Sequence, residues 1–341
     1  MPHKHYRFTP TPEEAGIRLD QFVPARTDEL SRTLLRKIVD LGGAHVGGRR
    51  VRRCSLPVRA GEEVVIHMDG LPLEPYVLRP EDVLMEDDYL LAVAKPAGVE
   101  TQPTPARYKG TLYAALLDYL HNPHRPLDRP ELGMAQRLDR ETSGVMVFSI
   151  HRRAHGRLTE IISGREAEKS YLALVSGYPA EKEGEIRSLL ARNRATNRVR
   201  SVAKGGKEAI TRYRVLEEFA DSSLLEVQLL TGRSHQIRAH LSEAGHPLLG
   251  DARYEGPCAW QGREIPRQML HARRLTLPHP VTGEALTLEA PVPADMAGLL
   301  EELRREASRT RDAGRGTRDS GLGTRDGHCA FLQVCDTNNP E

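Results

Sequence analysis

Apolar and polar positions alternate with changing period along the chain. Leu19, Phe22 and Val23 recur at helical spacing. A second apolar stripe, Leu34, Leu35, Ile38 and Val39, opens after Ser31, a good cap, and closes at Gly42-Gly43. The period then shortens. Ala44-His45-Val46 and Arg49-Arg50-Val51 flank Gly47-Gly48, which predicts a tight hairpin, and Val64-Val65-Ile66 supplies a further strand. After a proline-rich stretch at 71–80, apolar runs predict strands over 90–94, 145–148, 171–175, 224–230 and 286–288. Helical patterns cover 112–120 and 235–244. Strands and helices are interspersed without a repeating βαβ period, so the class is α+β.

These changes of pattern divide the chain into an N-terminal extension (1–16), a small unit (17–69), a linker (70–80), a larger unit (81–300) and a tail (301–341). In the tail, Thr310-Arg311-Asp312, Thr317-Arg318-Asp319 and Thr324-Arg325-Asp326 recur every seven residues. The apolar positions of a coiled coil are missing, so the tail is expected to be disordered.

The length of 341 residues suits about two domains. Charged residues make up 28%, yet the net charge is only +2, so the basic character is local. Between 18 and 69, ten basic residues face seven acids. Arg32, Arg36 and Lys37 lie on the second helix, with Arg49, Arg50, Arg52 and Arg53 around the hairpin, a pattern suited either to phosphates or to a solvated face. No run approaches the ~20 apolar residues of a membrane span. The start, Met1-Pro2-His3-Lys4-His5-Tyr6-Arg7, lacks the apolar core of a signal peptide, and the four cysteines form no C-x-x-C pair. A cytoplasmic protein is expected.

Three clusters could carry chemistry. Asp139 lies in Gln136-Arg137-Leu138-Asp139-Arg140-Glu141-Thr142-Ser143-Gly144, a polar loop feeding an apolar strand. Flanked by Arg137 and Arg140, it would be held ionised, ready as a nucleophile or base; the same pattern also fits a structural ion pair. In Thr231-Gly232-Arg233-Ser234-His235-Gln236-Ile237-Arg238, Arg238 falls inside the helix, where it could grip a buried carboxylate through two bonds. His235 and His240 are five apart, the wrong spacing for a helical zinc pair, and no metal is expected. Alternation puts Tyr171, Ala173 and Val175 on one strand face, where the Tyr171 ring could be core or could stack on a flat base. Lys95-Pro96-Ala97-Gly98 is a rigid turn carrying one cation. Walker loops, G-x-G-x-x-G, G-x-S-x-G and H-E-x-x-H are all absent from the sequence, so nothing implies a nucleotide cofactor, serine hydrolase or metalloprotease.

Taken together, these residues resemble the RluA-type family of RNA pseudouridine synthases over nearly all of 17–296. Arg137-Leu138-Asp139-Arg140 with Thr142-Ser143-Gly144 is similar to the family's aspartate motif, and Lys169-x-Tyr171-x-Ala173-x-Val175-x-Gly177 to its tyrosine motif. The segment from Thr231 to His240, then Gly245-x-Pro247 and Gly250-Asp251-x-x-Tyr254, is similar to its arginine motif; Lys95-Pro96-Ala97-Gly98 and Leu270-His271-Ala272 also match. Two positions depart: Gln136 stands where the family usually has His, and Gln102-Pro103 where it commonly has His-Pro. The resemblance implies an S4-type RNA-binding domain at 17–69 and a catalytic domain built on a mixed, mainly antiparallel sheet. It implies Asp139 as nucleophile or 2′-proton base, Arg238 as its partner, Tyr171 stacking on the flipped base, and RNA contacts from Arg137, Arg140, Arg32, Arg36, Lys37, Arg49 and Arg50. It further implies a monomer without cofactor, acting on RNA, with large-subunit ribosomal RNA ahead of tRNA. Two other readings are an inactive RNA-binding assembly factor and an unrelated carbohydrate-active enzyme, the latter requiring a second carboxylate across the cleft.

Overall fold

A computed structural model describes residues 3–125, 130–193 and 196–316. The chain divides into two compact units, Met1–Asp82 with Gly98–Leu132, and Val83–Ala97 with Gly133–Glu341. This differs from the sequence-based boundaries in several respects, the largest after Lys95-Pro96-Ala97. The segment after Lys95-Pro96-Ala97 leaves the larger unit and joins the first: Arg107 is buried there, donating to Asp69 at 2.8 and 3.1 Å and to the Pro72 carbonyl.

Among the described residues, the first unit carries a four-stranded antiparallel sheet in the order His3–Phe8, Val64–Asp69, Ala44–Val46, Arg49–Arg50. Residues expected to be an extension thus form an edge strand, because Tyr6 and Phe8 alternate onto the apolar cluster beneath. The helix Arg32–Leu41 starts where Ser31 Oγ accepts from the Leu34 N–H (3.2 Å) and stops at Gly42, whose φ of 95° is the left-handed cap. It buries Leu35, Ile38, Val39 and Leu41.

The second unit is built on an eleven-stranded sheet among the described residues. Nine strands run Val199–Ser201, Glu183–Arg192, Lys207–Glu218, Ser222–Leu229, Glu168–Ser176, Leu270–Pro278, Ser143–Ser149, Leu90–Lys95, Val83–Glu86, with Ala285–Glu289 paired to Leu270–Pro278 and Gly133–Met134 to Ser143–Ser149. One pair is parallel, Leu270–Pro278 with Ser143–Ser149, and the rest are antiparallel. The class is α+β, as expected. Ser143–Ser149 is buried along its whole length, which explains why it reads as a continuous apolar run.

Helices Arg152–Ser163 and Gln236–Glu243 pack on the face bearing Tyr171, Ala173 and Val175. The helix Ala294–Gly316 packs Met296, Leu299, Leu300 and Leu303 on the other face, against Leu174, Leu224 and Trp260. Each such buried side chain contributes about 1.5–3 kcal/mol. The tail therefore does not begin at 301: the chain remains helical to Gly316, and the rest of the tail lies outside the described residues. No described helix is long and apolar enough to cross a membrane.

Candidate active site

Asp139 sits in the loop that enters the strand Ser143–Ser149, and that loop is pinned from several sides. The Thr142 N–H donates to the Asp139 carbonyl (3.1 Å), closing a turn. Lys95, buried beneath, donates to the carbonyls of Arg140 (3.0 Å) and Pro96 (2.8 Å). Arg267 Nη1 donates to the Glu141 carbonyl (3.1 Å), and Gln268 Nε2 to Thr142 Oγ1 (2.9 Å). Ser143 Oγ lies 3.0 Å from His271 Nδ1. Gly144 takes φ 129°, and a Cβ there would fall 2.3 Å from the Ala272 carbonyl oxygen, so only glycine allows the two strands to meet. The Lys95 turn is thus a scaffold corner under the loop.

Arg238, on the helix Gln236–Glu243, is 7% exposed, and a buried charge needs partners. Its Nε and Nη2 donate to Asp251 at 2.7 and 2.8 Å, and its Nη1 donates to Asp139 Oδ2 at 2.9 Å. The two-bond grip expected from the sequence is therefore made to Asp251, with a single further bond to Asp139. Burial alone would lower the Arg238 pKa; Asp251 and Asp139 together hold it above its ordinary value. Among the described residues, neither flanking arginine pairs with Asp139. Arg140 Nε donates to Glu141 (2.7 Å), and Arg137 is exposed.

Tyr171 is 9% exposed in the core beside this pair. Burial, then the Asp139 charge, raises its pKa, so it is a neutral phenol. His235 occupies a left-handed conformation (φ 51°, ψ 21°) at the start of the helix. Its Nε2 is 3.8 Å from Asp139 Oδ2, and its Nδ1 is 3.0 Å from Tyr254 Oη. Burial pushes its pKa down to about 4 against the opposing pull of Asp139. Tyr254 accepts from the Val199 N–H (2.9 Å) and lays its ring 4.9 Å from the Arg238 guanidinium carbon. His240 points elsewhere, bridging Ser188 Oγ (2.9 Å) and Thr211 Oγ1 (2.8 Å), a structural brace for the helix. Gln136 leaves its Nε2 buried without a hydrogen-bond partner.

In the first unit, fully buried Asp20 gathers arginines. Arg18 donates twice to it (2.9 and 3.0 Å), Arg36 once (3.2 Å), and Arg32 donates to its carbonyl (3.1 Å). Arg18 and Arg36 stay about half exposed in spite of this bond. Lys37 lies 3.9 Å from Glu74, and Arg49, Arg52 and Arg53 are exposed. Arg50 differs: its guanidinium turns inward to the Thr104 carbonyl and the Tyr108 ring, and Nη1 is buried without a partner. It is part of the packing rather than of the open basic face.

Asp251, Tyr254 and Arg267 carry the site's framework without having been assigned roles from the sequence. The signal was present for Asp251, a lone acid closing the apolar run Pro247-Leu248-Leu249-Gly250. Arg267 gave none, because its partners are backbone carbonyls and Asp295, 28 positions away.

Comparison with known proteins places this geometry in context. The family described as RNA pseudouridylate synthase matches residues 89–243. An uncharacterized RNA pseudouridine synthase of Synechocystis is 36% identical over 299 residues, covering 85% of this chain and 90% of the relative. The ribosomal large subunit pseudouridine synthase D of Nitrosomonas europaea is 35% identical over 306 residues, covering 85% of each. Among solved structures, human RNA pseudouridylate synthase domain containing 4 superimposes with a TM-score of 0.56 at 27% identity, covering 66% of this chain and 93% of that one.

Proposed function

Since the chain belongs to the RluA-type RNA pseudouridine synthase family and is thus an RNA-modifying isomerase, we propose that Asp139 carries the reaction and that large-subunit ribosomal RNA is the substrate. One observation supports the first part above all. Asp139 is the accessible member of the Asp139–Arg238–Asp251 chain, with its side chain 28% exposed against 1% for Asp251. Asp251 neutralises the buried guanidinium, and Asp139 presents the carboxylate to a substrate.

The isomerisation breaks the N1–C1′ bond, turns the uracil and joins C5 to C1′; the C5 proton leaves and N1 gains one. Atoms and electrons balance within the nucleotide, so the reaction itself calls for no redox partner. Uracil departs as a stabilised anion, and one carboxylate suffices where glycosidases use two. Asp139 either attacks C1′ or removes the 2′ proton. Arg238 pairs with it and orients it, Tyr171 stacks on the base, and Arg137, exposed beside the loop, fills the gap left in the RNA. The uridine must leave its stack, because no side chain reaches the sugar–base bond inside a helix.

The first unit acts as an S4-type RNA-binding domain, with Arg32, Arg36, Lys37 and Arg49 on its open face. The protein works as a monomer in the cytoplasm. Two relatives bear the name ribosomal large subunit pseudouridine synthase D at 35% identity, which supports the ribosomal target. Mapping pseudouridines in ribosomal and transfer RNA from cells with and without this chain tests the reading. Loss of one or more large-subunit positions is expected; loss confined to tRNA would contradict the target, and no loss at all would contradict the function.

A further inference from the structure

We propose that Tyr254 and His235 form a positioning relay that selects the reacting oxygen of Asp139. Tyr254 holds His235 as the tautomer protonated on Nε2, that N–H addresses Oδ2, and Oδ1 is left to meet the ribose. The relay rests on the reading of Asp139 as the reacting carboxylate.

The hydrogen-bond bookkeeping fixes each proton. The Val199 N–H donates to Tyr254 Oη (2.9 Å), so the phenol accepts there and has its own hydrogen to give. The acceptor within reach is His235 Nδ1, at 3.0 Å. A neutral imidazole that accepts at Nδ1 carries its proton on Nε2. Neutrality follows from the surroundings, because the ring is buried and a second positive charge would meet Arg238, Arg253 and Arg192, against the pull of Asp139. Tyr254 is 2% exposed and crosses the imidazole edge-on at 82°, so the ring cannot turn freely.

Both neighbours of Asp139 address one oxygen. Arg238 Nη1 is 2.9 Å from Oδ2, and His235 Nε2 is 3.8 Å from the same atom. Oδ1 accepts no hydrogen bond among the described residues. A separation of 3.8 Å is too long for a hydrogen bond, but catalytic contacts often tighten only when substrate closes the site. The backbone supports a dedicated role. His235 starts the helix in a left-handed conformation, uncommon outside glycine though histidine is among the residues that enter it, and its imidazole makes no capping bond.

Nitrogen-detected NMR of the imidazoles in the labelled full-length protein reads the tautomer directly. The expected spectrum has a protonated Nε2 and an unprotonated Nδ1 for His235, with mixed tautomers in Tyr254→Phe. A protonated Nδ1 in the wild type would overturn the relay. Single-turnover kinetics supply the second arm. His235→Asn, a residue that tolerates the left-handed backbone, should slow the chemical step by about 10- to 100-fold, the size of a missing hydrogen bond to a charged group. Its RNA affinity should stay within twofold, and Tyr254→Phe should show a smaller loss of the same kind. Rates within threefold of wild type for both variants would overturn the role. The expected tautomer alongside a fully active Asp139→Asn would locate the failure in the reading of Asp139 rather than in the hydrogen-bond chain.

Discussion

Arg238 divides one guanidinium between a sealed carboxylate and an open one, and much of the site's logic lies in that asymmetry. Removing it strands Asp251, 1% exposed, without its partner, and an uncompensated buried charge costs about 3–5 kcal/mol. Arg238→Ala is therefore expected to lower thermal stability as well as turnover. A variant with native stability and turnover would contradict this double role. The pairing of Asp139 with Arg238 was legible in the sequence because each sits in a short motif; Asp251 also sits in one, but its partnership with Arg238, 13 positions away on another element, left no local mark. Histidines set the acid behaviour. His271, between Ser143 and the Ala290 carbonyl, and His235 are each pushed by burial from 6.5 down to about 4. The unfolded chain binds their protons first, so stability is full above pH 6.5 and falls as the pH drops toward 4. Asp20 adds a lower window. Its pKa, depressed from 3.8 to about 2 chiefly by Arg18, gives stability that persists above 3.8 and is lost as the pH falls through 2. Thermal melts against pH should show the first decline between 6.5 and 4, smaller in His271→Gln; a flat profile there would contradict the burial account.

The loop carrying Asp139 is held by elements far away in the chain. Arg267, 4% exposed at its side chain, grips Asp295 through Nε and Nη2 (2.6 and 2.9 Å) while Nη1 donates to the Glu141 carbonyl. Asp295 lies at the start of the helix Ala294–Gly316, so the docking of that helix and the geometry of the loop are coupled. Asp295→Asn should weaken the grip, lowering kcat several-fold with little change in KM. A raised KM at unchanged kcat would show that the clamp serves binding instead. The strand cores 90–94, 145–148 and 171–175 were readable as apolar runs because both faces are covered. Glu183–Arg192 and Lys207–Glu218 were not, since most of their length alternates with charged residues on an open face. The helix beyond 301 was hidden for a different reason. Its apolar stripe ends at Leu303, and it continues on ion pairs such as Arg304–Glu217 (2.8 Å) and Glu301–Arg305 (3.7 Å), which composition alone reads as disorder.

At the scale of the whole molecule, a net charge of +2 conceals an uneven distribution, and the open basic face of the first unit should govern RNA affinity. Because residues 98–132 belong to that unit, cutting away the first seventy residues would strip the packing from a segment that remains. Point substitution is the cleaner test. Arg49→Gln with Arg52→Gln and Arg53→Gln, all exposed, should flatten the plot of log affinity against log salt by about 0.7–0.9 for each phosphate no longer neutralised. An unchanged slope would make that face a solvated one. The pattern changes period near 70, whereas the first unit runs to Asp82 and takes back 98–132, because no local pattern records packing against a distant segment. The most direct test of the central claim follows tritium. RNA labelled at carbon 5 of uridine loses its label when C5 joins the sugar, so release into solvent counts each isomerisation. Wild-type protein should release tritium, while Asp139→Asn should bind the same RNA with similar affinity and release none above background. Release within tenfold of wild type from Asp139→Asn would contradict the assignment of Asp139.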